Sequence, residues 1–509
     1  MNNLSIKADA TLLKADATLL KADTVLTNAQ SINQSNVDVQ NQLDNIILES
    51  GTSDAEVIQA RTDYLGTTFP LLKDRLNNID KSILSRGANV IDFGAVGDGV
   101  TDDTQAFKDA LGSGYKKVYA PNKKFLITDT LRVEENNMKV LFEGTLLFNV
   151  ENETCLEISS NNNNIEILID GNNTARIGIN ILGENNIVHD STVKNIYSNN
   201  DSAFGINVYN NNNVVEKCRV DNVESIGNDI FGDDNGASRG IRVNGLVTNN
   251  GSTLIKNNTI TNIMGEEGDA IHLIAPGKDE MKVIVEGNKI HTFSRRAIKI
   301  QCSNAKIIHN VIENYIEHNS IIRAIDIQSV DNTVIMHNTL IIEHIPCFGL
   351  AGTEKNPVNN TVISNNTVKS FTNIATVYTI YVNNFDFTYN KIEGGGNNIF
   401  NRATKVKIVN NIFDSLLTES DTFPISVMQS GDDVLIMNNT VSNSLYHRPV
   451  RSSATNVKII GNNFTDDVGG IELSSKGSGF VVNNVIRSGS PVSTSEEGYT
   501  VENNTLIRD

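Results

Sequence analysis

The sequence contains no tryptophan, aromatic residues make up 6% of its 509 positions, and it has four cysteines and eight prolines. So few aromatics exclude an ordinary globular enzyme core of that size. Cys155, Cys218, Cys302 and Cys347 are widely separated and include no CxxC pair. That excludes a thiolate zinc site and a disulfide framework, and predicts buried thiols. Positive charge is short as well: 42 Lys and Arg face 60 Asp and Glu, a net −18. Nonspecific nucleic-acid binding is therefore not expected unless basic groups are locally concentrated. No apolar run approaches the roughly 18 residues that span a bilayer, and no basic-then-apolar leader opens the chain. A soluble protein, neither membrane-bound nor exported by a leader, is expected.

What the sequence has in abundance is asparagine, from Asn152 onward, and a change of character along the chain. In residues 1–50, "LLKADATLLKADTVL" repeats every seven residues, with Leu12, Leu19 and Leu26 in one row and Leu13 and Leu20 beside it. This is a coiled-coil seam and predicts self-association through an attachment helix. Residues 51–86 read as a helical connector, opened by Gly51 and divided by Pro70. Its stretch "GTSDAEVIQAR…TTFPLLKDRLNNID" resembles a connector of baseplate and receptor-binding proteins in phages of Gram-positive bacteria.

Residues 126–509 carry a repeat of an apolar pair, a polar residue, Asn or Gly, then an apolar residue, as in "LIKNNTI", "TVISNNTV" and "KIIGNNF". The recurring Asn falls at 258, 288, 310, 338, 366, 390, 411, 439, 462, 484 and 504, with weaker copies at Arg219, Ser191, Gly171 and Gly144. A unit this short cannot bury its own apolar face and must stack on its neighbours, giving about 15 coils. It has no room for a helix, so helical and leucine-rich solenoids are excluded, and an all-β parallel β-helix is expected. Stacked Asn side chains would form hydrogen-bonded ladders. Sequons such as Asn257-Asn258-Thr259 are then structural, not glycan acceptors.

Residues 87–125, which open with "GANVIDFGAVGDGVTDDTQAFKDAL", supply a strand, a Gly-rich turn and a short helix that would cover the open first coil. Asp102 is the expected N-cap, Gln105 its capping-box partner, and Ala106, Phe107, Ala110 and Leu111 the apolar face. No GK[ST] follows, which excludes a phosphate-cradling loop. The stretch resembles the opening motif of the pectate-lyase-like β-helix superfamily, as found in phage tailspikes. That resemblance implies a right-handed β-helix, a homotrimer, and a virion protein that attaches to tail or baseplate proteins through its N-terminus and acts on host surface polysaccharide.

A second repeat lies between the Asn turns: "FGINV" at 204, "RGIRV" at 239, "DAIHL" at 269, "RAIKI" at 296 and "RAIDI" at 323. Strand alternation puts the third and fifth residues inside and the second and fourth outside. The fourth positions then stack as Asn207, Arg242, His272, Lys299 and Asp326 beside a trough of Gly and Ala, and the first positions add Arg239, Asp269, Arg296 and Arg323. So many basic groups in so acidic a chain predict an anionic ligand, with Arg239, Arg242, Arg296, Lys299 and Arg323 binding it. The alternative is a solvated ladder of paired charges.

The catalytic candidates are Asp233, Asp234, Glu266, Glu267, Asp269, His272 and Asp326. Asp269 and Asp326, two coils and on the order of 10 Å apart, approach the carboxylate spacing of inverting glycosidases. Alternatively Asp269 and His272 form an acid–base pair, with Arg296 and Lys299 stabilising negative charge. No cofactor is required. Calcium is the one metal the resemblance admits, with oxygen ligands from "GDDN" or "GEEGD". "GDD" and "RRAIKI" are similar to polygalacturonase motifs, but that family's His-bearing turn is missing. The expected functions are therefore a depolymerase of an anionic surface glycopolymer such as wall teichoic acid, capsule or exopolysaccharide, a non-catalytic adhesin using the same groove, or a purely structural spike.

Overall fold

A computed structural model describes parts of 21–42, then 60–63, 65–226, 237–245, 251–275, 282–317, 323–371, 374–396, 398–414, 423–428, 433–443, 448–465, 470–473, 478–487, 492–494 and 498–507. The chain divides into two compact units, Met1–Arg86 and Gly87–Asp509. In the first, the described residues between 21 and 42 are helical. Leu26 of the expected seam is exposed on this single chain; Leu12, Leu13, Leu19 and Leu20 lie outside the described residues. Helix α1 spans Leu72–Arg86. Ahead of it a tight turn brings Thr62 against Thr68, with the Asp63 carboxylate accepting from the backbone N–H of Leu65 and Thr67.

The second unit is a parallel β-helix. One face is a sheet of fifteen strands, and the strands of the other two faces pair, coil on coil, into a continuous 32-stranded sheet. Strands pair in parallel, each matching the equivalent strand of the next coil, as Val220↔Ile260↔Ile290↔Ile312↔Leu340. The Ile, Val, Leu and Phe of these rows are fully buried. Each contributes roughly 1.5–3 kcal/mol by leaving water, so the stacking of coils supplies the core that no single coil has.

The coils turn at the asparagines. From Asn258 to Asn484 each ladder Asn donates its backbone N–H and its Nδ2 to the Oδ1 of the next, at about 2.9 Å, for example Asn338 to Asn366 and Asn366 to Asn390. The Nδ2 also donates to a carbonyl of the preceding coil, as Asn366 does to Ile335. The residue just before each ladder Asn is left-handed: Asn257, Gly287, His309, His337, Asn365, Tyr389, Asn410, Asn438, Gly461, Asn483 and Asn503. Asn and Gly tolerate that backbone best, which explains the Asn-Asn and Gly-Asn pairs of the repeat. Upstream the position is filled by Cys218 and Ser191: the Cys218 N–H donates to Asn258 and the Ile167 N–H to the Ser191 hydroxyl. Arg219 therefore stands one residue past the ladder. A separate ladder, Asn163–Asn186–Asn213, turns another corner.

The first coil is closed by helix α2, Thr104–Leu111, whose Ala106, Phe107, Ala110 and Leu111 are buried. Phe107 meets Phe125 and Phe142 edge-on at 5.0 and 5.1 Å. Three local expectations are corrected. Val90–Phe93 is a turn of 3₁₀ helix, not strand. The N-cap of α2 is Asp103, not Asp102, and it caps with no side-chain bond: the Asp103 carboxylate is spent on the N–H groups of Val96 and Gly97 in the glycine turn, while Asp102 accepts from Thr104. Gln105 donates to Asp109 instead of closing a capping box.

Candidate functional site

Seven strands of the fifteen-stranded sheet carry the charged columns: β1 (Ala203–Val208), β2 (Ala237–Asn244), β3 (Glu267–Ile274), β4 (Arg296–Gln301), β5 (Ile325–Gln328), β6 (Phe348–Ala351) and β7 (Val377–Ile380). Asn207, Arg242, His272, Lys299, Asp326, Gly349 and Tyr378 stand in one register. Phe204, Arg239, Asp269 and Arg296 stand in another. These two rows face outward and interact with each other.

The small second residues do not face outward with them. A side-chain carbon added to Gly240 would meet the Ala270 carbonyl and Ile260, and Ala270, Ala297 and Ala324 belong to the core. The strand thus breaks strict alternation at its second residue, where the backbones of successive coils approach closely and only Gly or Ala fits. The expected trough of Gly and Ala on the outer wall is replaced by an inward corner.

The outward rows close on each other as a polar network. Arg239, 1% exposed, donates from Nε to His272 Nδ1 at 3.0 Å and places Nη1 3.1 Å from Asp269 Oδ2. His272 Nε2 lies 2.7 Å from Gln301 Oε1, Gln301 donates to Gln328 at 2.9 Å, and Gln328 donates to Asp326 at 2.7 Å. Arg296 completes the circuit, with Nε on Asp326 Oδ2 at 3.0 Å and Nη1 on Asp269 Oδ1 at 3.2 Å. Beside it Glu267 is shared by Arg239, Arg295, Arg296 and Lys299. Removing one member of such a buried set leaves an unpaired charge, at a cost of roughly 3–5 kcal/mol.

Burial sets the protonation of the imidazole. Desolvation, reinforced by Arg239 and Lys299, holds the His272 pKa well below its ordinary value, so the ring is neutral. Burial opposes ionisation of Glu267 too, but Lys299, Arg295, Arg239 and Arg296 outweigh it and keep this carboxyl below its usual range. Burial lowers the Lys299 pKa, with Arg239 adding to that and Asp269 opposing it.

Sequence reasoning brought together Arg239, Asp269, His272, Arg296, Lys299 and Asp326 on one wall, and these do meet. Arg323 reaches the same wall over Gly349, stacking at 5.1 Å on the ring of Tyr378, with Nη1 3.7 Å from Asp326. Arg242 stacks at 5.1 Å on Phe204. Asp233 and Asp234 lie outside the described residues. Sequence reasoning missed Gln301, Gln328, Arg295, Phe204, Gly349 and Tyr378, although the repeated "RAIKIQ" and "RAIDIQ" carried a signal for the two glutamines.

Two chemical expectations meet physical obstacles. Asp269 and Asp326 are bridged by the Arg296 guanidinium, which fills the place a hydrolytic water would need. His272, 1% exposed and bonded at both ring nitrogens, has no free lone pair turned to a substrate. For calcium, the described part of the expected ligand set is already committed. Glu267 and Asp269 of "GEEGD" face guanidinium groups, and "GDDN" lies outside the described residues. Among the described residues no three acidic, His or Cys side chains gather as metal ligands would.

The fold and this wall define a parallel β-helix with a preorganised cationic face. No family model matches the chain. It is 40% identical over 93 residues to the phage-related protein YobO of Bacillus subtilis strain 168, a match covering 18% of this chain and 11% of that one. It is 37% identical over 110 residues to the pre-neck appendage protein of Bacillus phage B103, covering 19% and 12%. The chain thus spans about a tenth of the length of the curated relatives it matches. Among solved structures it is similar to the surface adhesin PfbA of Streptococcus pneumoniae, at 13% identity over 72% of this chain and 92% of that one, with a TM-score of 0.48. A tailspike protein of E. coli bacteriophage HK620, solved in complex with a pentasaccharide, matches at 12% identity over 92% and 84%, with a TM-score of 0.40. Likenesses at this level say nothing of any residue of the site.

Proposed function

We propose that the chain is a phage tail appendage, carried on the virion, that recognises an anionic glycopolymer of a Gram-positive cell surface: wall teichoic acid, a capsule or an exopolysaccharide. The observation that carries this reading is the charge of the wall. Arg239, Arg295, Arg296, Lys299 and Arg323 face Glu267, Asp269 and Asp326, a formal excess of positive charge in a chain of net −18. Guanidinium groups match phosphate and carboxylate geometry, and the stacked Arg323–Tyr378 and Arg242–Phe204 pairs offer flat surfaces to sugar rings. Because the network holds these groups in place beforehand, little side-chain entropy is lost on binding. The likeness to a pre-neck appendage protein supports the location. The amino-terminal heptads support self-association; the resemblance to tailspikes makes it a homotrimer attached to tail or baseplate proteins, which sedimentation equilibrium of the whole chain tests.

Depolymerisation has weaker support, because Glu267, Asp269, Asp326 and His272 are already bonded. Glu267, with 20% of its side chain exposed, is the most accessible carboxylate of the bonded network, and Glu266 next to it is exposed. Purified protein incubated with isolated walls distinguishes the readings. Co-sedimentation without release of soluble phosphate or reducing ends is expected. Fragment release abolished in Glu267→Gln would make the protein a depolymerase, and failure to co-sediment would contradict recognition altogether.

A further inference from the structure

A different face of the β-helix carries a surface pocket of about 390 Å³ lined by Asn384, Lys405, Lys407, Asp433, Leu435, Asn456 and Lys458, with Val406 and Val434 behind. Its residues come from four successive coils. Asp386, Lys407, Leu435 and Lys458 share one outward row. The neighbouring corner begins as an exposed amide ladder, in which Asn384 donates to Asn360 and Asn360 to Asn332. The ladder stops at the pocket. The next left-handed position of that corner is Lys405, φ 52°, followed by Asp433, φ 67°. A lysine in that backbone region is disfavoured where Asn would continue the ladder at no such cost.

The charges there are unevenly committed. Lys407 pairs with Asp386 at 3.0 Å, and Asp433 accepts from Asn456 Nδ2 at 2.7 Å. Among the described residues no carboxylate pairs with Lys405 or Lys458 within 4.0 Å. We infer that this pocket is a second ligand site, one that takes a single anionic group carried on a polyol or sugar. The two unpaired ammonium groups would hold the phosphate or carboxylate, Asp433 and the amides of Asn384 and Asn456 the hydroxyls, and Leu435 the apolar face of the carbon chain. Lys405 lies two rungs from Lys458, about 10 Å at the spacing of parallel strands and two residues offset along them, a gap that two lysine side chains can close on one anion. The ligand class rests on the reading of the protein as a glycopolymer binder; the site itself rests on the pocket and its lysines.

The test is isothermal titration of the full chain with glycerol phosphate in one arm and galacturonate in the other, which separates a phosphate source from a carboxylate source. The double variant Lys405→Asn, Lys458→Gln removes both charges, and Asn at 405 suits the left-handed backbone, so folding is preserved. Saturable binding of at least one probe, weakened tenfold or more in the double variant and unchanged in Lys116→Gln, which removes an exposed charge that belongs to neither site, is expected. Absence of saturable binding of both probes, or equal affinity in the double variant, overturns the site. Wall co-sedimentation run alongside keeps the outcomes apart. Probe binding without wall binding would contradict the glycopolymer reading and leave the pocket standing.

Discussion

A single ladder asparagine shows how much one side chain can carry. Asn366 accepts from the backbone N–H and Nδ2 of Asn338, donates to Asn390, and gives its Nδ2 to Ile335 in the preceding coil. Asn366→Ala leaves several buried groups without partners, and a loss of roughly 2–4 kcal/mol in urea unfolding is expected. A loss below about 0.5 kcal/mol would mean that water replaces the ladder. His272 makes the pH-dependent counterpart. Its folded pKa is depressed, so between that value and the unfolded value near 6.5 the unfolded chain binds the extra proton. Stability attributable to it is therefore complete above about pH 6.5 and falls as pH drops below it, by up to about 1.4 kcal/mol per pH unit. Equilibrium unfolding between pH 7.5 and 5 checks this, and His272→Gln should flatten that part of the profile.

At the scale of elements, helix α2 acts as a plug. Phe107 is wholly buried between Phe125 and Phe142, so Phe107→Ala should cost about 3–5 kcal/mol and expose the first coil to hydrogen exchange ahead of the rest. The stacked coils were legible in the sequence because every rung repeats the same demands: a left-handed residue, a ladder Asn, an inward Ile or Val. The inward turn of Gly240, Ala270, Ala297 and Ala324 was not, since alternation counted from one end misses a corner that only the close approach of the next coil reveals. The N-cap of α2 was misread by one residue for a similar reason, the Asp103 carboxylate being claimed by a turn six and seven residues earlier. The rows of charge could be read from spacing, but not their closure into a circuit, which depends on how far Arg296 and Gln301 reach across strands.

For the whole molecule, the stacking of coils converts residues far apart in sequence, from Phe204 to Tyr378, into one continuous wall. Preorganisation of that wall is what makes recognition the favoured role, since groups already satisfied by one another are poor acids and bases but steady partners for an anion. Salt dependence of binding to isolated teichoic-acid-bearing walls tests this most directly, comparing the native chain with Arg242→Gln and Arg323→Gln. Affinity is expected to fall steeply between about 50 and 200 mM salt, as ion pairing is screened, and to be at least tenfold weaker in each variant at the lower concentration. Binding that ignores salt and is the same in all three proteins would contradict the account.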